Sequence, residues 1–190
     1  KKIESLSLED DYLIYFVDDN SDDGSLLKFI NLKKNFNNVD YKIRKSSSKD
    51  LTKSIIYALD YINSEYVFVM DCDLQHDLKA IPIMINLIKS GNYDLVIGSR
   101  NIEKIKSFKR RYISFIGIWI TKVIGIPRLI DPLSGFFIIK TKKFIKTKHK
   151  IKSKGYKVLL SLIFFLRSDI KIKEVIINFY PRKYGKSKFN

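Results

Sequence analysis

The chain has 190 residues, 45% of them hydrophobic and 29% charged, which suits one folded domain with a real core and excludes a disordered polymer. Lys and Arg number 36 against 20 Asp and Glu, a formal charge of +16 that favours an anionic partner: nucleic acid, anionic lipid or a phosphorylated small molecule. Lysines that merely solvate the surface give the same balance, so charge alone selects no function, while the single Cys72 excludes an internal disulfide and a cysteine-built zinc site.

Residues 12–17 form a compact apolar run that stops at Asp18-Asp19-Asn20-Ser21, the pattern of a buried strand entering a polar loop. Residues 26–36 place Leu26, Leu27 and Ile30 at helical spacing. A short strand is expected over 39–43, and a helix over 51–62 through Leu51, Ile55, Ala58, Leu59 and Ile62. Residues 66–70 are a second apolar strand, stopped by Asp71 and Asp73. A helix over 81–89 closes at Gly91, and a strand over 94–97 runs into Gly98-Ser99-Arg100. This alternation predicts an α/β fold, a mostly parallel sheet flanked by helices on both faces. In such sheets ligands sit beyond the carboxyl ends of strands, where both acidic clusters and Gly98-Ser99-Arg100 fall.

The second half reads differently. Residues 104–111 are a basic loop, and 112–126 an apolar helix broken by Lys122. A turn over 131–135 leads into a strand over 136–140, followed by a helix over 156–167 and a strand over 172–179. The tail, 180–190, is basic. The start of the chain is polar, with no secretory signal, and the most apolar stretches (112–126 and 158–166) fall short of the ~20 apolar residues of a spanning helix.

Asp71-Cys72-Asp73 carries the most chemistry. Two carboxylates one residue apart, just past a strand, can face one pocket and offer hard oxygens to Mg²⁺ or Mn²⁺. Such a cation neutralises a departing diphosphate, and Gln75 can add a neutral oxygen. A bare D-x-D is common on surfaces, so its weight comes from its place at a strand end. Asp18 and Asp19 can accept hydrogen bonds from a nucleobase or ribose, while Ser21, Asp22 or Asp23 can cap the helix that follows. His76 adjoins the acids and can reach substrate, support the acids or face solvent, and is not taken as catalytic. No Ser/His/Asp arrangement, P-loop or G-x-G-x-x-G is present.

The segments VDDNSDDGS (17–25), VFVMDCDLQH (67–76), GSR (98–100), DPLSGFF (131–137), SKGYK (153–157) and RKYGKSK (182–188) occur in this order. Together they resemble family 2 glycosyltransferases of the dolichol-phosphate mannosyltransferase type, which include polyprenyl-phosphate glucosyltransferases. DPLSGFF and the late G-K-S-K carry the likeness to the polyprenyl-phosphate branch.

The resemblance implies a GT-A fold and an inverting transfer from a nucleotide-sugar donor, GDP-mannose or UDP-glucose, to a polyprenyl phosphate. One domain spans 1–190, with a nucleotide-sugar half over about 1–100 and an acceptor, membrane-facing half over about 101–190. Asp18, Asp19, Asp71, Arg100, Arg182 and Lys188 would meet the donor. Asp71, Asp73 and Gln75 would hold Mg²⁺ or Mn²⁺. Asp73, Arg110, Arg111 and Ser134 would serve the reaction, Ser134 and the arginines gripping the acceptor phosphate. An anionic acceptor attacks without a strong base, so alignment and charge stabilisation suffice. Arg110 and Arg111 before an apolar helix suit peripheral association with the cytoplasmic face of an anionic membrane, or phosphate binding. An ordinary core helix is the alternative.

The chain also departs from the family pattern. The opening strand with its P-x-Y/N-E signature is missing, so the expected sheet lacks its first strand. Lys49-Asp50-Leu51-Thr52 stands where a Gly-containing segment is usual, Ile130 where an arginine often precedes D-P-x-S-G (with Arg128 nearby), and Asp77-Leu78 where prolines are usual. Two other readings remain: a family 2 transferase with a saccharide acceptor, for which Asp131 is the tempting base, and a non-catalytic copy that binds nucleotide sugar or lipid. A nucleic-acid partner is disfavoured because the lysines are spread along the chain.

Overall fold

The computed structural model describes residues 6, 8, 11–46, 48–100, 129–152 and 154–181. In chain order the elements are β1 (Ile14–Asp18), α1 (Ser25–Asn35), β2 (Val39–Ile43), α2 (Leu51–Ala58), β3 (Tyr66–Val69), α3 (Ala80–Lys89), β4 (Leu95–Arg100), β5 (Phe137–Lys140), α4 (Thr141–Lys148), α5 (Val158–Leu166) and β6 (Ile172–Ile177). Every strand and helix expected within these residues is present, with ends shifted by a few positions. The expected loop over 104–111 and helix over 112–126 lie outside the described residues.

α2 stops at Ala58 instead of reaching residue 62. The amides of Leu59, Asp60 and Tyr61 bond to the carbonyls three residues back, at Ile56, Tyr57 and Ala58, which tightens the helix end into turns. Gly91 ends α3 as expected, with φ 78°. α4 adds to the expected elements. Its sequence, TKKFIKTK, has a weak apolar signal, and burial of Phe144 against the core supplies what periodicity does not.

Four strands form one sheet in the order β3-β5-β4-β6. β5 runs antiparallel to β3 and β4, whereas β6 runs parallel to β4. β3, β4 and β6 therefore share one direction, and their carboxyl ends meet the start of β5 at a single edge. β1 and β2 pair in parallel, from Ile14 opposite Val39 to Asp18 opposite Ile43. This is the expected mostly parallel α/β arrangement. Among the described residues no ladder joins the β1–β2 pair to the four-stranded sheet.

Alternation along the central strands sends side chains to two cores. Leu95, Ile97, Phe137 and Ile139 pack with Phe144 of α4 and with Leu159, Leu162, Ile163 and Leu166 of α5. Val96 and Ile138 face the other way, onto Ile81, Met84 and Ile88 of α3. Each such side chain, fully buried, contributes ~1.5–3 kcal/mol, so the four-stranded sheet is the rigid part of the molecule. Across β1, α1 and β2, only Val39 is buried. No described helix is long and apolar enough to cross a membrane.

Candidate active site

Asp71, Cys72 and Asp73 leave β3 at the shared edge. Asp73 Oδ1 accepts the Gln75 amide at 3.1 Å, and Leu74 between them takes φ 61°. A leucine in this left-handed conformation costs ~1–2 kcal/mol, so surrounding contacts hold the turn. The chain then points inward: Gln75 and His76 are buried, while the Asp71 side chain stays 43% exposed. The Gln75 side-chain amide donates to the Tyr180 carbonyl at 3.0 Å, and the Tyr180 N–H donates to the Gln75 carbonyl at 2.8 Å. With the nitrogen committed, Oε1 is the Gln75 atom left for a cation. The segment that follows β6 is thereby clipped onto the acidic loop.

The turn before β5 packs on the same loop. A Cβ added at Gly135 would lie 3.2 Å from Asp71 Oδ2, so glycine lets the turn approach the first carboxylate closely, and a side chain there would push the carboxylate by a few tenths of an ångström. Asp131 is 1% exposed and takes Arg100 in a bidentate pair, Nε to Oδ2 at 2.6 Å and Nη2 to Oδ1 at 2.8 Å. Burial works against the Arg100 charge, but the Asp131 hydrogen bonds and charge outweigh it and raise the guanidinium's pKa further. The guanidinium also lies 5.4 Å over the Phe179 ring. Ser134 is buried, its hydroxyl donating to the Gly98 carbonyl at 2.7 Å and accepting the Phe136 amide at 3.2 Å. The hydroxyl expected to meet an acceptor phosphate therefore ties the turn to β4.

Glu174 of β6 completes this construction and was not anticipated from sequence. Its carboxylate accepts the amides of Ile130 (2.9 Å) and Asp131 (3.1 Å) and the Ser99 hydroxyl. The available signal was a lone acid, beside Lys173, in a strand whose other residues are apolar. The turn thus hangs from β4 and β6 through Arg100, Ser99, Ser134 and Glu174.

Asp18 and Asp19 stand at the end of β1. Asp18 Oδ1 accepts the Ser21 amide at 2.6 Å. None of Ser21, Asp22 and Asp23 is the cap of α1: that position is Gly24, with no side-chain cap bond, and Asp23 just before it accepts the Ser25 amide and hydroxyl. Asp19 accepts Arg44 Nε at 2.7 Å, the Ser54 hydroxyl and the Asp50 amide. Burial alone would raise its pKa, yet the Arg44 and Ser54 hydrogen bonds hold the carboxyl below its ordinary value. Asp50 caps α2 through Lys53 (3.2 Å) and also accepts the Gly155 amide at 3.1 Å, while the Thr52 hydroxyl donates to the Gly155 carbonyl at 2.6 Å. The Lys49-Asp50-Leu51-Thr52 departure therefore has a structural use, joining β1 and α2 to the loop before α5. Arg44 and Ser54 were also unforeseen, since nothing in sequence ties them to Asp19.

Arg110, Arg111, Arg182 and Lys188 lie outside the described residues. Among those described, no three His, Cys, Asp or Glu side chains gather as a metal cage. The donor set at the edge is two carboxylates and an amide oxygen. It fits Mg²⁺ or Mn²⁺, hard cations that take remaining ligands from phosphate and water.

A model of the glycosyl transferase family 2 matches residues 2–159. The chain belongs to glycosyltransferase family 2. Similar family 2 proteins include the dolichol-phosphate mannosyltransferases of Mycosarcoma maydis (30% identical, covering 93% of this chain and 61% of that protein) and Pyrococcus furiosus (31%, 93% and 50%). That of Saccharomyces cerevisiae is 29% identical over 93% of this chain and 68% of its own length. The chain thus spans between half and about two thirds of the curated relatives it matches. Glucosyl-3-phosphoglycerate synthase from Mycobacterium tuberculosis, solved with Mn²⁺, UDP and glucosyl-3-phosphoglycerate, superposes with TM-score 0.71 at 15% identity, covering 95% of this chain and 66% of that one. The likeness establishes the GT-A fold of this family 2 chain.

Proposed function

We propose that this family 2 chain transfers a hexose, mannose in the first place, from a nucleotide-diphosphate sugar to a polyprenyl phosphate with inversion. One observation carries the choice of acceptor. Asp131, the carboxylate that a saccharide acceptor would need as base, is 1% exposed and bidentate to Arg100. A hydroxyl acceptor must lose a proton, whereas a phosphate monoester arrives already anionic. The similarity to three dolichol-phosphate mannosyltransferases supports the same acceptor and sugar.

In this reading a phosphate oxygen attacks the anomeric carbon from the face opposite the diphosphate, the new C–O bond forms, and the sugar–diphosphate bond breaks. Asp71, Asp73 and Gln75 Oε1 would hold Mg²⁺ or Mn²⁺. When bound, the cation supplies positive charge to the diphosphate leaving group. The chain's own residues orient the reactants. Gly135 and the Gln75–Tyr180 clip set the acidic loop, and the Arg100–Asp131 pair sets the turn over which the acceptor phosphate lies. Arg110 and Arg111 grip that phosphate, and Arg182 and Lys188 meet the diphosphate. Asp18 and Asp19 border the nucleoside, Asp19 chiefly by holding Arg44 and α2 in position. Ser134 acts by anchoring the turn. A lipid acceptor and a charge of +16 suit a peripheral enzyme on the cytoplasmic face of an anionic membrane.

Acceptor selection tests the proposal. The protein is offered GDP-mannose with Mn²⁺ and, in parallel, a short polyprenyl phosphate, the unphosphorylated polyprenol and a free saccharide. Transfer only to the phosphate is expected, and its loss with EDTA. Transfer to the saccharide or the polyprenol at a comparable rate would overturn it.

A further inference from the structure

His76 is 5% exposed by its side chain, yet neither ring nitrogen has a hydrogen-bond partner. A buried polar group left unpaired costs ~1–3 kcal/mol, so the position asks for an explanation. The imidazole is fixed as a slab. It stacks on Phe136 with centroids 4.7 Å apart and planes 8° from parallel, and meets Phe179 in a T-shaped contact at 5.6 Å. An antiparallel bridge from His76 to Phe179 fixes the backbone as well. From this slab Nε2 points at Asp71 Oδ2, 3.8 Å away, beyond hydrogen-bond length.

The two partners differ in freedom. The imidazole is buried against Phe136 and Phe179, whereas the Asp71 carboxylate is 43% exposed. A closing movement therefore belongs to Asp71. A carboxylate that gives one oxygen to a cation has the other free to accept a hydrogen bond, and such a bond fixes the ligand's orientation.

We propose that His76 is a positioning residue for the cation site: its Nε2–H donates to Asp71 Oδ2 when Asp71 binds a divalent cation, holding the carboxylate in its liganding orientation. The inference rests on the reading of Asp71 and Asp73 as cation ligands. It also explains why a histidine is placed where a fully apolar ring would pack equally well between Phe136 and Phe179. Because those rings belong to the turn before β5 and to the segment after β6, His76 reports the closure of both onto the acidic loop.

Mn²⁺ binding, followed by the paramagnetic resonance signal of the free ion in the presence of a nucleoside diphosphate, tests this without turnover. His76→Phe keeps the flat ring and removes the donor; its Mn²⁺ affinity is expected to fall about tenfold. His76→Gln returns an amide N–H near the Nε2 position and recovers most of the loss, whereas His76→Asn, whose amide sits nearer Nδ1, does not. Folded His76→Phe protein with wild-type affinity would overturn the proposal. If that variant does not fold, equal affinities of the Gln and Asn variants would overturn it. Asp73→Ala separates the two levels: wild-type protein that binds Mn²⁺ no better than Asp73→Ala removes the cation reading itself, while a wild-type advantage with an unaffected His76→Phe removes only the role of His76.

Discussion

The two halves of the molecule hold their functional residues by different means. At the edge of the four-stranded sheet, the acidic loop and the turn before β5 are backed by fully buried side chains such as Ile97, Phe136 and Phe137. At the end of β1, almost no apolar burial stands behind Asp19. A polar network through Arg44, Ser54, Asp50, Thr52 and Gly155 does the holding. Where a diphosphate and a cation are proposed to be aligned, rigidity comes from packing. Where a nucleoside is proposed to enter, it comes from hydrogen bonds that open at lower cost.

This contrast is sharpest where a charge is stranded. Asp131→Ala leaves the half-buried Arg100 without its partner and is expected to cost about 3 kcal/mol in a denaturant titration. Gly98→Ala comes next. Its Cβ would clash with Phe136 Cδ1, and the overpacking is expected to cost ~1–3 kcal/mol by thermal or denaturant melting. Asp19→Ala should act more locally. Amide exchange should rise across β1, α1 and β2 while β4 and β5 keep their protection, and equal loss in both regions would break the comparison. Ser134→Ala removes one buried hydroxyl tie and should cost ~1 kcal/mol in a denaturant titration. The exposed Lys146–Asp169 pair closes the series: Lys146→Ala should change stability by less than ~0.5 kcal/mol.

Acid should separate the same two regions. The Asp19 carboxyl lies below its ordinary value in the folded state, so folding favours its ionised form. That stability is fully present above the ordinary carboxylate pKa of about 3.9 and is lost as pH falls through the depressed folded value. Exchange measured on stepwise acidification should show β1, α1 and β2 losing protection. Asp19→Asn should reduce that loss while leaving untouched the acid dependence of the four-stranded sheet, where Asp94, against burial, is held below its ordinary value by hydrogen bonds from Lys140 and Lys171.

The sheet was legible because its strands are short apolar runs ended by acids or glycine, as at 66–70 and 94–97, and burial on both faces leaves that signature directly in composition. The place of Asp71 and Asp73 at a strand end was legible for the same reason: they follow an apolar strand. α4 was not, because Phe144 packs from a helix of lysines whose own pattern is polar. The roles of Glu174, Arg44 and Ser54 were hidden because each depends on a partner 25 or more positions away, which spacing along one element cannot reveal. Ser134 was expected to grip the acceptor phosphate, and Asp131 was the candidate base of the alternative saccharide-acceptor reading. Only the three-dimensional pairing with Gly98 and Arg100 turns them inward.

The central claim is that the edge shared by β3, β4, β6 and the start of β5 is a cation-assisted site for transfer to a lipid phosphate. The most direct test compares wild type and Asp73→Ala, both verified as folded, for transfer of mannose from GDP-mannose to a short polyprenyl phosphate with and without Mn²⁺. The account predicts Mn²⁺-dependent lipid-phosphate mannose from the wild type and at least ~100-fold less from the variant, ~2.7 kcal/mol of barrier. Equal rates for the two proteins, or no transfer by the wild type from either GDP-mannose or UDP-glucose, would contradict it.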